Sequence, residues 1–146
     1  MKFTDEYFMQ EALKEAQKAY EAREVPIGAV VVEKNHIIAR AHNQVELLND
    51  ATAHAEMLAL TAAFGHRDSK YLPTCTLYVT LEPCLMCAAA TYWTKLERLV
   101  FASKDKKRGY TLLQPTPLHP KTKVLQGVLQ KESEKLLKAF FQKLRS

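Results

Sequence analysis

Thr76-Leu77-Tyr78-Val79-Thr80-Leu81-Glu82-Pro83-Cys84-Leu85-Met86-Cys87-Ala88-Ala89-Ala90 is the stretch on which the reading of this chain turns. Thr76 to Leu81 is β-branched, aromatic or leucine throughout, the composition of a core strand. Pro83 cannot continue a strand but suits the first turn of a helix. Leu85 to Tyr92 holds strong helix formers and neither Gly nor Pro. Cys84 and Cys87 are therefore expected in the first turn of a helix that leaves the C-terminal end of a strand. Backbone N–H groups there lack partners and the helix dipole is positive, so thiolates are favoured. Two positions three apart also share a helix face. Such a pair suits a metal ion, and the rest of the ligand set has to come from elsewhere.

The bulk properties bound the answer. A length of 146 residues predicts one domain spanning 1–146 with a single sizeable core. The 47% apolar content excludes a disordered chain. No apolar run approaches the ~20 residues of a membrane span, and MKFTDEYF lacks the apolar run of a signal peptide, so a cytoplasmic protein with no membrane partner is expected. Three cysteines, two of them in a CxxC, argue for metal or redox chemistry over a disulfide scaffold. The net charge of +5 permits a nucleic-acid partner without requiring one.

Outward from the cysteines, Thr4 to Arg23 predicts an amphipathic covering helix capped by Thr4, with Phe8, Ala12, Ala16 and Ala19 inward. Ile27–Val32 and Ile37–Ala41 predict a hairpin turning at Lys34-Asn35. A polar loop is expected through Asn49, then a helix from Asp50 to about Phe64, stopped by Gly65. Leu96 to Ser103 reads as a strand parallel to the one at 76–81, joined through the cysteine helix. Lys104 to Gly109 is a basic loop, and 111–123, with three prolines, shows few structure signals. Glu132 to Leu144 predicts a closing helix with Leu136, Leu137, Phe140, Phe141 and Leu144 toward the core.

His54-Ala55-Glu56 at one helix start and Cys84/Cys87 at another supply one imidazole and two thiolates. Three protein ligands leave a position for water, the pattern of a catalytic zinc site, whereas structural sites normally close with four. Cys75 lies at the opposite end of its strand, roughly 20 Å or more from Cys84 at ~3.3 Å per residue, and is expected to be a core thiol. His36, His42, His66 and His119 fall in or near turns. Glu56 is the acid/base candidate; it reaches the same metal as His54 only if the ion lies off the end of the helix. Asn43, ending the second strand, is either a turn residue bonding its own backbone or an amide that reads a base edge.

H-x-E together with P-C-x-x-C is similar to the signature of the zinc-dependent base and nucleoside deaminases of the cytidine/deoxycytidylate deaminase superfamily. Glu24 to Val30, Thr52 to Met57 and Thr76 to Ala88 further resemble the bacterial tRNA adenosine deaminases, a likeness running from the first helix to the last. The resemblance implies a three-layer α/β/α sandwich around a mixed five-stranded sheet, usually as a homodimer, with one zinc per chain. It implies His54, Cys84 and Cys87 as zinc ligands and Glu56 as proton shuttle for attack of hydroxide on C6 of a flipped adenine. It places Asn43, Val25, Pro26, Ile27 and Leu81 around that base, and Asp105, Lys107 and Gly109 along the path of a tRNA anticodon stem-loop. Two segments depart from the family pattern. Tyr110 to Pro115 replaces a usually small loop. Ala89 stands where Gly is common, and Tyr92-Trp93 is similar to the guanine deaminases that act on free bases.

Three readings follow. The first is a tRNA adenosine deaminase. The second is a free nucleobase or nucleoside deaminase, of guanine or cytosine type, with the same zinc site. The third is a non-catalytic nucleic-acid-binding module stabilised by zinc, which requires a fourth protein ligand.

Overall fold

The computed structural model describes residues 2–145. One mixed sheet of five strands organises them: β1 (Gly28–Glu33), β2 (His36–His42), β3 (Cys75–Leu81), β4 (Arg98–Ser103) and β5 (Lys123–Gln126). Their order across the sheet is β2-β1-β3-β4-β5. β1 runs antiparallel to β2 and β3, while β3, β4 and β5 are mutually parallel. Lys34 and Asn35, at φ 50° and 66°, form the β1–β2 turn, as two consecutive left-handed residues do in a twisted hairpin.

Helices cover both faces. α1 (Asp5–Glu21) and α5 (Gln130–Arg145) lie on one side. Phe8, Met9 and Ala12 of α1 meet Val30, Val32, Tyr78, Val100 and Ala102 there. α3 (Ala55–Arg67) and α4 (Leu85–Trp93) lie on the other, where Ala55, Ala59, Ala63 and Ala88 pack on Ala29, Val31, Leu77, Val79, Leu99 and Phe101. Successive strand residues thus feed opposite layers, the period-two alternation of a sheet buried on both faces. The expected three-layer sandwich is what forms.

Two contacts fix α1. Thr4 caps it, accepting the Tyr7 N–H at 3.1 Å. Asp5 holds Arg98 through two parallel 2.7 Å bonds and accepts the Tyr78 hydroxyl at 2.6 Å. The Arg98 guanidinium beside Asp5 holds that carboxyl below its ordinary range. Gly28, at the start of β1, lies directly beneath α1. A Cβ built there would fall 2.8 Å from Glu15 Cβ and closer still to the Ala12 carbonyl oxygen and Ala16 nitrogen.

Several boundaries differ from expectation. The segment after β2 contains a short helix, α2 (Val45–Leu48), and α3 begins only at Ala55. Gly65 does not stop α3, which continues to Arg67 and ends on Asp68 at φ 53°. β4 starts at Arg98 rather than Leu96. A 3-10 turn occupies Tyr110–Leu112, and β5 follows with all four residues exposed. Its Lys-Val-Leu-Gln sequence is too short for a periodicity signal and takes its strand state from pairing with β4. On α5, Leu136, Leu137 and Phe140 are half-buried, but Phe141 and Leu144 face solvent. Among the described residues no helix is long and apolar enough to cross a membrane.

Candidate metal centre

Two helix starts meet at the C-terminal ends of β2 and β3. His54 is the N-cap of α3 and Cys84 the N-cap of α4, each with extended backbone. Neither side chain makes a capping hydrogen bond. Glu56 follows in the first turn of α3 and Cys87 in the first turn of α4. His54 therefore lies off the end of its helix, which is the condition Glu56 needs to approach the same point.

The three donor atoms cluster. His54 Nδ1 stands 3.7 Å from Cys84 Sγ and 3.5 Å from Cys87 Sγ. All three lie within 4.8 Å of one another, and among the described residues no fourth His, Cys, Asp or Glu joins them. A tetrahedral ion with Zn–S of about 2.3 Å and Zn–N of about 2.05 Å spaces sulfur and nitrogen about 3.6 Å apart. The observed spacing matches, and one imidazole with two thiols is a donor set that zinc prefers. Glu56 is buried, and its Oε1 has no hydrogen-bond partner among the protein atoms. An uncompensated carboxylate oxygen beside a cation site is a group kept for a ligand.

The protons are arranged accordingly. Cys84 is lowered to about 4, chiefly because the Cys87 thiol donates to it, with His54 contributing. The same interaction pushes Cys87 upward, and the hydrogen bond between His54 and Cys84 pushes His54 upward. Burial pushes the Glu56 carboxyl up to about 7. A divalent cation held here would take both sulfurs as thiolates in place of these shared protons.

Other expected site residues divide. Val25 and Ile27 are half-buried and Pro26 is buried just before β1; Leu81 is half-buried at the end of β3. Asn43 is buried, and its Oδ1 accepts the Ala55 N–H at 2.8 Å. That carbonyl secures the start of α3, which leaves the amide NH₂ for any ligand. Asp105 Oδ1 accepts the Lys107 and Arg108 N–H groups at 3.0 and 3.1 Å and so shapes its own loop, while the Lys107 side chain is exposed. Cys75 is buried at the far end of β3, where burial pushes its thiol up to about 11. Tyr92 and Trp93 are not core residues: 42% and 75% of their surface is exposed, and Tyr92 lies against His119. A cleft of about 410 Å³ opens beside Asn43, Arg23 and Leu47, outside the metal group.

Two buried acids were not singled out from sequence. Glu24 accepts the Glu46 and Leu47 N–H groups, one per oxygen, and so caps α2. Glu82, one residue before Pro83, binds the loop after β4. The available signal was an acid flanked by apolar residues, Leu81-Glu82-Pro83, at a strand exit.

Comparison with known proteins gives a consistent result. A tRNA-specific adenosine deaminase from Aquifex aeolicus (strain VF5) is 46% identical over 146 residues, covering 97% of this chain and 96% of that protein. One from Bacillus subtilis (strain 168) is 47% identical, covering 97% and 91%. A structure from a study of A-to-I editing by tRNA:A34 deaminases superposes with a TM-score of 0.84 at 42% identity, covering 89% of this chain and 98% of that one. A guanine deaminase from Nitrosomonas europaea superposes with a TM-score of 0.81 at 25% identity, covering 96% and 85%. The cytidine and deoxycytidylate deaminase zinc-binding region matches residues 2–103. With a three-donor zinc site built on two helix starts and that region spanning most of its length, the chain belongs to the cytidine and deoxycytidylate deaminase family of zinc-dependent hydrolytic deaminases.

Proposed function

We propose that this chain, acting as a single deaminase domain, converts adenosine to inosine at the wobble position of a tRNA anticodon. The observation that carries this reading is the near-full-length identity of 46% and 47% to tRNA-specific adenosine deaminases, against 25% to the guanine deaminase. His54, Cys84 and Cys87 hold the zinc, which when bound acts as a Lewis acid that makes water nucleophilic near neutral pH. Glu56 accepts the proton of the attacking water and delivers it to the adenine ring; it then takes the proton of the hydroxyl now on C6 and passes it to the amino group, so that the C6–N bond breaks, ammonia leaves and a C6 carbonyl remains. A carboxyl raised to about 7 by burial can do both at neutral pH. Val25, Pro26, Ile27 and Leu81 surround the flipped base, and the Asn43 NH₂ reads its edge. Asp105 and Lys107, with the exposed Lys104, Lys106 and Arg108, follow the anticodon backbone. The enzyme works in the cytoplasm, as a homodimer whose pairing covers the exposed apolar residues of α4.

A substrate panel tests this. Inosine formation in an anticodon stem-loop is set against ammonia release from adenine, adenosine, guanine and cytosine. Inosine in the stem-loop is expected. Ammonia from guanine with no inosine establishes the free-base reading, to which Tyr92-Trp93 points. Glu56→Ala is expected to retain one zinc per chain and lose at least ~10³-fold in kcat, each proton transfer contributing roughly 10²–10⁴. Retained turnover in that variant refutes the role given to Glu56.

A further inference from the structure

Glu82 is a buried carboxylate, 2% exposed, that the chemistry above does not use. Its Oε1 accepts the Asp105 N–H at 3.0 Å. Its Oε2 accepts the Thr111 N–H at 2.9 Å and the Thr111 hydroxyl at 2.7 Å. Asp105 lies within the basic loop Lys104–Arg108 and Thr111 just beyond it. On the other side, the Glu82 N–H donates to the Ser103 carbonyl at 2.8 Å, and the Tyr110 N–H donates to the Pro83 carbonyl at 3.0 Å. Cys84 is the next residue. Gly109 is buried against this carboxyl, and a Cβ there would fall well within 3.0 Å of all three of its terminal atoms.

We propose that Glu82 is a positioning residue that fixes the basic 104–111 loop to the metal-bearing turn, setting where the RNA backbone is gripped relative to the reacting base. This rests on the tRNA reading above. Every atom facing the carboxylate from the loop is a donor, so only an acceptor pair satisfies the set. Gln places an NH₂ against at least one N–H donor, whichever way it is turned. The loop loses at least one bond to the carboxylate, and Lys106, Lys107 and Arg108, which lie between the two anchors, leave their places together. Gly109→Ala displaces the same carboxyl from the opposite side.

The test uses the zinc-loaded full chain with Glu82→Gln, Gly109→Ala and Thr111→Val. Thr111→Val removes only the hydroxyl donor and covers the case in which the other two fold poorly. Amide hydrogen exchange at residues 105–111 is expected to quicken at least about tenfold, the equivalent of ~1.4 kcal/mol, with zinc content unchanged. KM for the stem-loop is expected to rise several-fold more than kcat falls, and the decline of binding with salt to flatten as lysine contacts are lost. Glu82→Gln and Gly109→Ala together should cost little more than either alone. Unchanged exchange in all three variants overturns the proposal, as does quickened exchange with unchanged KM and salt slope. A wild-type chain that leaves the stem-loop unmodified removes the tRNA reading and this proposal with it. The exchange data then still report whether Glu82 holds the loop, so the two failures are distinguishable.

Discussion

Replacing Gly28 and Gly65 by alanine gives two identical chemical changes with opposite expected signs. At Gly28 the added Cβ falls under 3.0 Å from Glu15 Cβ, the Ala12 carbonyl oxygen and the Ala16 nitrogen. Two of these are helix backbone and cannot swing aside. Relief requires α1 and β1 to separate by about 1 Å, and a gap of 0.5–1 Å already forfeits a quarter to a half of each van der Waals contact. The face affected carries Phe8, Met9, Ala12, Ala16 and Ala19, all buried. Overpacking a rigid site typically costs ~1–3 kcal/mol, and the backbone contacts put Gly28→Ala at the upper end, about 3 kcal/mol. At roughly 3 °C per kcal/mol for a chain of this length, Tm falls by about 9 °C. At Gly65 the new Cβ meets nothing within 4 Å, and the residue lies inside α3 with no positive φ. Alanine there removes the helix cost of glycine and stabilises by ~0.5–1 kcal/mol, raising Tm by about 2–3 °C. Urea and thermal unfolding of the zinc-loaded variants measure both. Equal shifts in the two variants refute the close α1–β1 approach. A loss of stability in Gly65→Ala shows instead that Gly65 ends the helix in a left-handed conformation.

Removing a sulfur should empty the metal site: Cys87→Ala is expected to fall well below one zinc per chain by elemental analysis, while Cys75→Ala stays near one. The Asp5–Arg98 pair makes a pH-dependent contribution. Because the folded-state pKa of Asp5 lies below its ordinary 3.8, the stabilisation is complete above that value and is lost as pH falls through the lower folded value. Asp5→Asn should therefore unfold earlier than wild type by a constant margin from pH 5 to 7, narrowing below about pH 4; a margin that widens in acid contradicts the sign.

Much of this was legible in the chain because local chemistry and tertiary placement agree. Thr76–Leu81 is a β-rich run that is also buried on both faces, so composition alone located β3 almost to the residue. His54 and the cysteine pair were legible because a metal site needs particular donor types. What escaped depends on distant partners. β5 exists because β4 offers it an edge. α2 exists because Glu24, more than twenty residues upstream, accepts two of its N–H groups. Gly65 had the residue type of a helix stop, yet Ala59, Leu60 and Ala63 carry α3 past it by packing on the sheet. Asn43 reads as a turn residue or a ligand group, and the further part its carbonyl plays, securing the start of α3, depends on a residue twelve positions away.

Helices ordinarily begin with a serine, threonine or aspartate that closes the first turn using its own oxygen. Here histidine and cysteine occupy those two places and turn their side chains to a common metal site instead. Metal loading would thus join the two helix starts to each other, adding to the separate holds that Asn43 gives α3 and Tyr110 gives the turn before α4. A chain that misses its zinc would keep its sheet and these holds, and would lose the tie between one helix start and the other.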